Sequence, residues 1–344
     1  MEKQCEVTIA ASGATAVLLK KNFPDLPQLT LPGYNITYSR SGGTFVLKIL
    51  AQIPKILGAI RRERQWLREV QATYQFDLII SDNRYGLKID GLKSVILTHQ
   101  LQVLTGFGTT ADSLMRRLHY RILEKFDECW VVDEPENGGL AGVLSHPRQL
   151  PSNSRYIGLL SQLRQPDASA VGSHHNVLVL LSGPEPMRSI LEEKILQQAA
   201  SAVGYHFHVI AGNPSGQSRA HLPAHITYTA YASAQELTDA LARARLVICR
   251  SGYSTLMDLA MFGKKALLIP TPGQSEQEYL AEHLQAQGIA FSKRQAEINL
   301  TTDMTEALRY NGFSAGRFAG KSGVLEAVID KALQQLKSEA GHNQ

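Results

Sequence analysis

Cysteine is scarce: three in 344 residues, Cys5, Cys129 and Cys249, far apart and without paired metal spacing. That count argues against a disulfide framework and a cysteine-based zinc site, and it fits a reducing cytoplasm. No apolar run approaches the roughly 20 residues that a membrane-spanning helix needs. The start, Met1-Glu2-Lys3-Gln4-Cys5, lacks the basic-then-apolar order of a secretory signal. Internal repeats and low-complexity tracts are missing as well. Charge is nearly balanced at a net +4, with 19 Lys+Arg against 15 Asp+Glu up to residue 157 and 16 against 16 beyond it. A modest basic bias confined to one half points to an anionic contact there and falls well short of nucleic-acid binding. With 44% hydrophobic and 19% charged residues, the chain can pack a sizeable core, and wholesale disorder is excluded.

Short apolar runs alternate with longer amphipathic stretches, which predicts an α/β fold with parallel sheets. In the first half the pattern predicts strands at Glu6–Ala10, Gln28–Leu31, Leu78–Ser81, Ser94–Leu97 and Glu128–Val132. Helices are expected near Gly13–Asn22, Thr44–Gln71 (broken or kinked at Pro54) and Ala111–Lys125. In the second half the expected strands are Val177–Leu181, His206–Ile210, Ile226–Thr229, Leu246–Cys249 and Ala266–Ile269. Helices follow at Met187–Ala202, Ala234–Ala244, Thr255–Phe262, Glu276–Gln287, Thr302–Tyr310 and Gly323–Lys337. Loop-rich segments at His146–Ser154 and Gln165–Ser173 bracket a boundary, so residues 1–157 and 158–337 read as two doubly wound, Rossmann-like domains facing across a cleft. Ser338–Gln344 reads as a frayed tail.

The most informative stretch is Leu246–Leu280. The buried-strand run Leu246-Val247-Ile248-Cys249 leads into Arg250-Ser251-Gly252-Tyr253-Ser254-Thr255, and a helix opens at once. A small, glycine-containing turn there leaves N–H groups and a positive dipole end facing outward, which suits a phosphate. Asp258, one turn in, suits the hydroxyls of an attached ribose. The competing explanation is a capping box, Thr255 with Asp258, which needs no ligand. The next strand ends in the stiff loop Pro270-Thr271-Pro272-Gly273, and Gln274, Gln277 and Glu278 follow it as amide and carboxylate groups suited to sugar hydroxyls. Here too a capping box, Ser275 with Glu278, competes.

Taken together, Arg250-Ser251-Gly252, Thr255, Asp258, the apolar strand ending at Pro270 and Gln277-Glu278-Tyr279 resemble the donor-binding half of GT-B glycosyltransferases. They are most like the peptidoglycan UDP-N-acetylglucosamine transferase and plant galactolipid synthase family. The resemblance is specific over roughly residues 175–300 and architectural before that. It implies that Ser251, Gly252 and Thr255 lie against the diphosphate, that Asp258 holds the ribose, and that Gln277 and Glu278 face the sugar; Arg250 and Ser254 join the expected nucleotide-binding set and Gln274 the sugar-binding set. The family has glutamine at both of the last two positions, so Glu278 is a departure that leaves the sugar open. Ser182-Gly183-Pro184-Glu185-Pro186 stands where the family's first turn approaches the nucleotide, with Arg188 either a further phosphate contact or simply an exposed helix arginine, and Tyr231 near the base. The transfer so implied uses a UDP-sugar as co-substrate and no resident cofactor. The chain has no Asp-x-Asp pattern of the metal-dependent enzymes, and helix N-termini would stabilise the leaving diphosphate.

The amino-terminal half would supply the acceptor side. The segment Cys5–Ser12 resembles the family's second strand, so the expected domain is short of its first strand, its histidine-bearing loop and its first helix. Asp82, Arg84 and His99 stand at the carboxyl ends of neighbouring strands, where open α/β sheets place ligands. His99 is the candidate base, against a structural histidine as the alternative. Arg61, Arg62, Arg64 and Arg68, beside Ile56, Leu57, Ile60 and Leu67, form a basic amphipathic face suited to an anionic membrane or simply to water. Arg116, Arg117, Tyr120 and Arg121 make a similar case. A sugar or lipid acceptor and peripheral contact at the inner face of the membrane follow from the resemblance. Two other classes remain: a UDP-sugar hydrolase or epimerase on the same scaffold, and a non-catalytic nucleotide-sugar-binding scaffold.

Overall fold

The computed structural model describes residues 5–33, 45–104, 108–163, 176–213, 216, 219, 221–314, 318 and 323–342. The expected Gln165–Ser173 loop lies outside them. The first half comprises β1 (Ile9–Ala11), α1 (Gly13–Asn22), β2 (Gln28–Thr30), α2 (Phe45–Tyr74), β3 (Leu78–Asp82), β4 (Lys93–Thr98), α3 (Thr109–Leu123), β5 (Glu128–Val131) and β6 (Ser154–Tyr156). The second comprises β7 (Asn176–Leu180), α4 (Met187–Ala199), β8 (His206–Ile210), β9 (Ile226–Thr229), α5 (Ala234–Arg243), β10 (Leu246–Cys249) and α6 (Tyr253–Phe262). It continues through β11 (Lys265–Leu268), α7 (Ser275–Ala286), β12 (Phe291–Ser292), α8 (Leu300–Ala307) and α9 (Val324–His342).

All strand pairs are parallel. β1 and β2 pair with each other, β3-β4-β5-β6 form a four-stranded sheet, and the second half carries a six-stranded sheet in the order β12-β11-β10-β7-β8-β9. This is the α/β architecture expected of two Rossmann-like halves. The innermost strands are the most apolar: every residue of β10 is buried, as a strand covered by helices on both faces requires.

Several boundaries differ from expectation for identifiable reasons. The α2 helix is one element through Pro54, because proline removes only one N–H and long helix-forming runs lie on either side. β6 and β12 are short additions at sheet edges, defined by pairing with β5 and β11 rather than by their own composition. The predicted tail is helical as far as His342, as part of α9.

One apolar core crosses from half to half, joining Val95, Trp130, Leu140, Leu144 and Ile157 to Tyr253, Leu256, Leu280 and Leu284. Although α9 lies in the second half of the chain, its Val328 and Ala332 join this core, and Lys93 Nζ donates to Gln335 Oε1 at 2.5 Å. Among the described residues no helix is long and apolar enough to cross a membrane. On α2, Ala59 and Leu67 are buried while Arg61, Arg62 and Arg68 are exposed, so much of the helix's apolar side packs inward.

Candidate functional site

The carboxyl ends of β10 and β11 set the site, and a hydrogen-bond chain ties their loops together. Ser251 Oγ donates to the Gln277 carbonyl at 2.7 Å, and Gln277 Oε1 accepts from Thr271 N–H at 2.9 Å. The helix after β10 starts two residues earlier than predicted, with Gly252 as its N-cap and no side-chain cap. Neither expected capping box forms at these two loops. Thr255 is already inside α6. At α7 the N-cap is Gln274, and Glu278 Oε1 instead accepts from Gly273 N–H at 3.0 Å. The first-turn N–H groups of α6 therefore face a space that no side chain caps, and a Cβ placed on Gly252 would meet nothing within 4 Å. Such a terminus carries about half a positive charge. Ser254 is exposed beside it, and Thr255 is half-buried.

Asp258 lies further along α6 and accepts from Ser161 Oγ at 2.6 Å. Burial pushes its carboxyl up to about 6, against the lowering effect of that serine. Ser182 and Gly183 follow β7, and a Cβ on Gly183 would lie 3.7 Å from Thr271 Oγ1, so the loops after β7 and β11 adjoin. Thr271 Oγ1 and Arg250 Nε are buried without a hydrogen-bond partner.

Two arginines expected at phosphates are otherwise engaged. Arg250 is buried, with its guanidinium donating to the carbonyls of Ile269, Pro270 and Met187 at 2.8–3.1 Å. It is a brace across three loops, and burial lowers its pKa to about 10. Arg188 pairs with Glu185 and Glu192 and donates to the Ala211 carbonyl, because a guanidinium this buried needs compensation. Tyr231 carries Lys21 Nζ of α1 over its ring, 4.9 Å from the centroid.

The acceptor-side candidates separate in the same way. Arg84 donates to Glu63 Oε1 and to the Pro32 carbonyl, both at 2.5 Å. His99 does reach the other half: its ring stacks on Tyr253 at 4.1 Å between centroids, and Nε2 meets Glu276 Oε1 at 2.9 Å. Its ring thus bridges the two halves of the chain. Asp82 sits near it, its carboxyl raised by burial and drawn back down by His99.

Sequence reasoning missed the groups that hold the halves together. Tyr253 is buried, and its hydroxyl donates to the Val132 carbonyl at 2.7 Å. Tyr279 Oη accepts from Val143 N–H at 2.9 Å. The loop that offers Val143 is organised by buried Asp133, which accepts from the N–H groups of Glu134, Leu140 and Ala141 and from Ser145 Oγ. Gly142 in that loop has φ +56, and a Cβ there would lie 2.5 Å from Tyr279 Oη. The local signal was available in an Asp directly after a strand and before a Gly-rich turn.

Residues 185–311 match the glycosyltransferase family 28 C-terminal domain. A UDP-N-acetylglucosamine–N-acetylmuramyl-(pentapeptide) pyrophosphoryl-undecaprenol N-acetylglucosamine transferase of Pseudomonas fluorescens (strain SBW25) is 24% identical over 333 residues, covering 90% of this chain and 86% of the relative. Among solved structures, the glycotransferase of kitacinnamycin aligns with TM-score 0.64 at 14% identity, over 96% of this chain and 98% of that one. MurG of Acinetobacter baumannii aligns with TM-score 0.55 at 16% identity, over 97% and 92%. The chain therefore has the GT-B fold of the glycosyltransferases it aligns with. More particularly, residues 185–311 are similar to the family 28 C-terminal domain, and the chain as a whole is similar to the peptidoglycan N-acetylglucosaminyltransferases.

Proposed function

We propose that the chain transfers a sugar from a UDP-sugar, of the UDP-N-acetylglucosamine type, held by residues 158–337, to a sugar or lipid acceptor held by residues 1–157. The observation that carries this reading is the uncapped start of α6 at Gly252, joined through Ser251 and Gln277 to the polar loop after β11. A diphosphate fits against the first-turn N–H groups, where developing negative charge on the leaving group meets a positive dipole end; this favours departure without a metal. Asp258 then takes the ribose, and Gln274, Gln277 and Glu278 line the sugar side. The latter two are also engaged in their own loop, so their orientation is preset. The named activity of the Pseudomonas relative supports uridine and N-acetylglucosamine.

The lipid acceptor and contact with the inner face of the membrane are supported by α3. Its exposed Leu114 and Leu118 lie with exposed Arg117 and Arg121 at helical spacing on one face. Isothermal titration of the full chain with UDP-sugars and UDP tests the donor reading. Micromolar to millimolar binding is expected, and silence from every nucleotide would remove it. Release of free sugar in water alone, with no acceptor, would favour hydrolysis instead.

A further inference from the structure

The segment joining the halves, 157–163, runs along α6. Leu160 N–H points at Met257 Sδ at 3.3 Å, Ser161 Oγ donates to Asp258 Oδ1 at 2.6 Å, and Leu163 N–H donates to Ser161 Oγ at 3.0 Å. The last bond fills a lone pair of the hydroxyl, so its single proton is directed to Asp258. Its length is that of a charge-assisted O–H···O bond. The other carboxylate oxygen, Oδ2, has no partner among the described residues. Nothing in the local sequence links 161 to 258; the junction between the halves brings them together.

Resting on the reading of α6 as the donor site, we propose that Ser161 is a positioning residue for the donor's ribose. It fixes one oxygen of Asp258 so that the other is presented to the vicinal hydroxyls. A carboxylate free to rotate would pay orientational entropy on meeting a diol; one already clamped does not. The clamp also favours the ionised form that must accept those hydrogen bonds. The other titratable group acting with Asp258 is the Cys249 thiol on β10, which burial raises to about 12 and so keeps neutral near pH 7.

The test is titration of the full chain, wild type, Ser161→Ala and Ser161→Thr, with UDP-N-acetylglucosamine from pH 5.5 to 8. Its esterified phosphates, unlike a terminal phosphate, carry no group titrating near pH 6. Wild-type affinity should fall as pH drops through about 6, where Asp258 gains a proton. In S161A that midpoint should rise by about one pH unit, so affinity falls about threefold further at pH 6.5 than at pH 8. S161T, which keeps the hydroxyl, should restore the wild-type profile. S161A should also narrow the preference for UDP over 2′-deoxy-UDP. An equal loss at every pH, or no loss, overturns the role of Ser161 while leaving the donor site in place. A wild-type protein that binds no nucleotide overturns the donor-site reading and this inference with it.

Discussion

The six strands of the second half form one continuous sheet, whereas those of the first divide into a pair and a quartet. The polar groups at their strand ends differ as well. In the first half they are spent on the fold: Arg84 on Glu63 and Pro32, Asp133 on its own loop, His99 on Glu276 and Tyr253. In the second half Arg250 and Arg188 are spent similarly, yet the start of α6 stays uncapped and is tied to the neighbouring loop. A buried charge must be compensated wherever it lies. The lesson is that the uncapped start of α6, rather than either arginine, is what the proposed diphosphate site rests on.

The largest expected effect is at the contact between the halves. Gly142→Val puts a Cβ into Tyr279 and His283 at φ +56, and should cost roughly 2–4 kcal/mol in thermal or denaturant unfolding. A tolerated valine would mean the halves do not meet there. Next, Gly252→Asp sets structure against function. As an N-cap it should leave stability unchanged or raise it by up to about 1 kcal/mol. Its charge where the diphosphate belongs should weaken UDP binding roughly 100-fold. Unchanged affinity would place the ligand elsewhere.

His99→Gln, read by turnover, decides between latch and base. It keeps an amide in reach of Glu276 and should retain activity within about tenfold, whereas loss of a general base costs about 100-fold or more. The smallest effect is expected from Lys21→Met, which removes the cation above Tyr231 and should cost about 0.5–1 kcal/mol. A double-mutant cycle with Tyr231→Leu isolates that contact.

The helix Gly13–Asn22 and the strands His206–Ile210, Ile226–Thr229 and Leu246–Cys249 have the limits the sequence predicts. Each is written in its own residues, as an apolar run bounded by turn formers, and needs no distant partner to be recognised. The two helix-opening loops of the second half were legible for the same reason. β6 and β12 were not, because Ser154-Arg155-Tyr156 and Phe291-Ser292 become strands by pairing with a neighbour already in place.

Local pattern also misjudged Thr255. A capping box is a preference between residues three apart, and at α6 the turn at Gly252 opened the helix earlier. The groups that join the halves were beyond reach altogether. Tyr253 meets Val132 and Tyr279 meets Val143 at separations of 121 and 136 residues, and within the second half Ser161 meets Asp258 at a separation of 97. Composition and periodicity report which face of a strand or helix prefers burial, and that alone committed this chain to parallel α/β halves. Which buried hydroxyl meets which carbonyl or carboxylate depends on how two sheets dock, a long-range packing outcome that no short window of residues encodes.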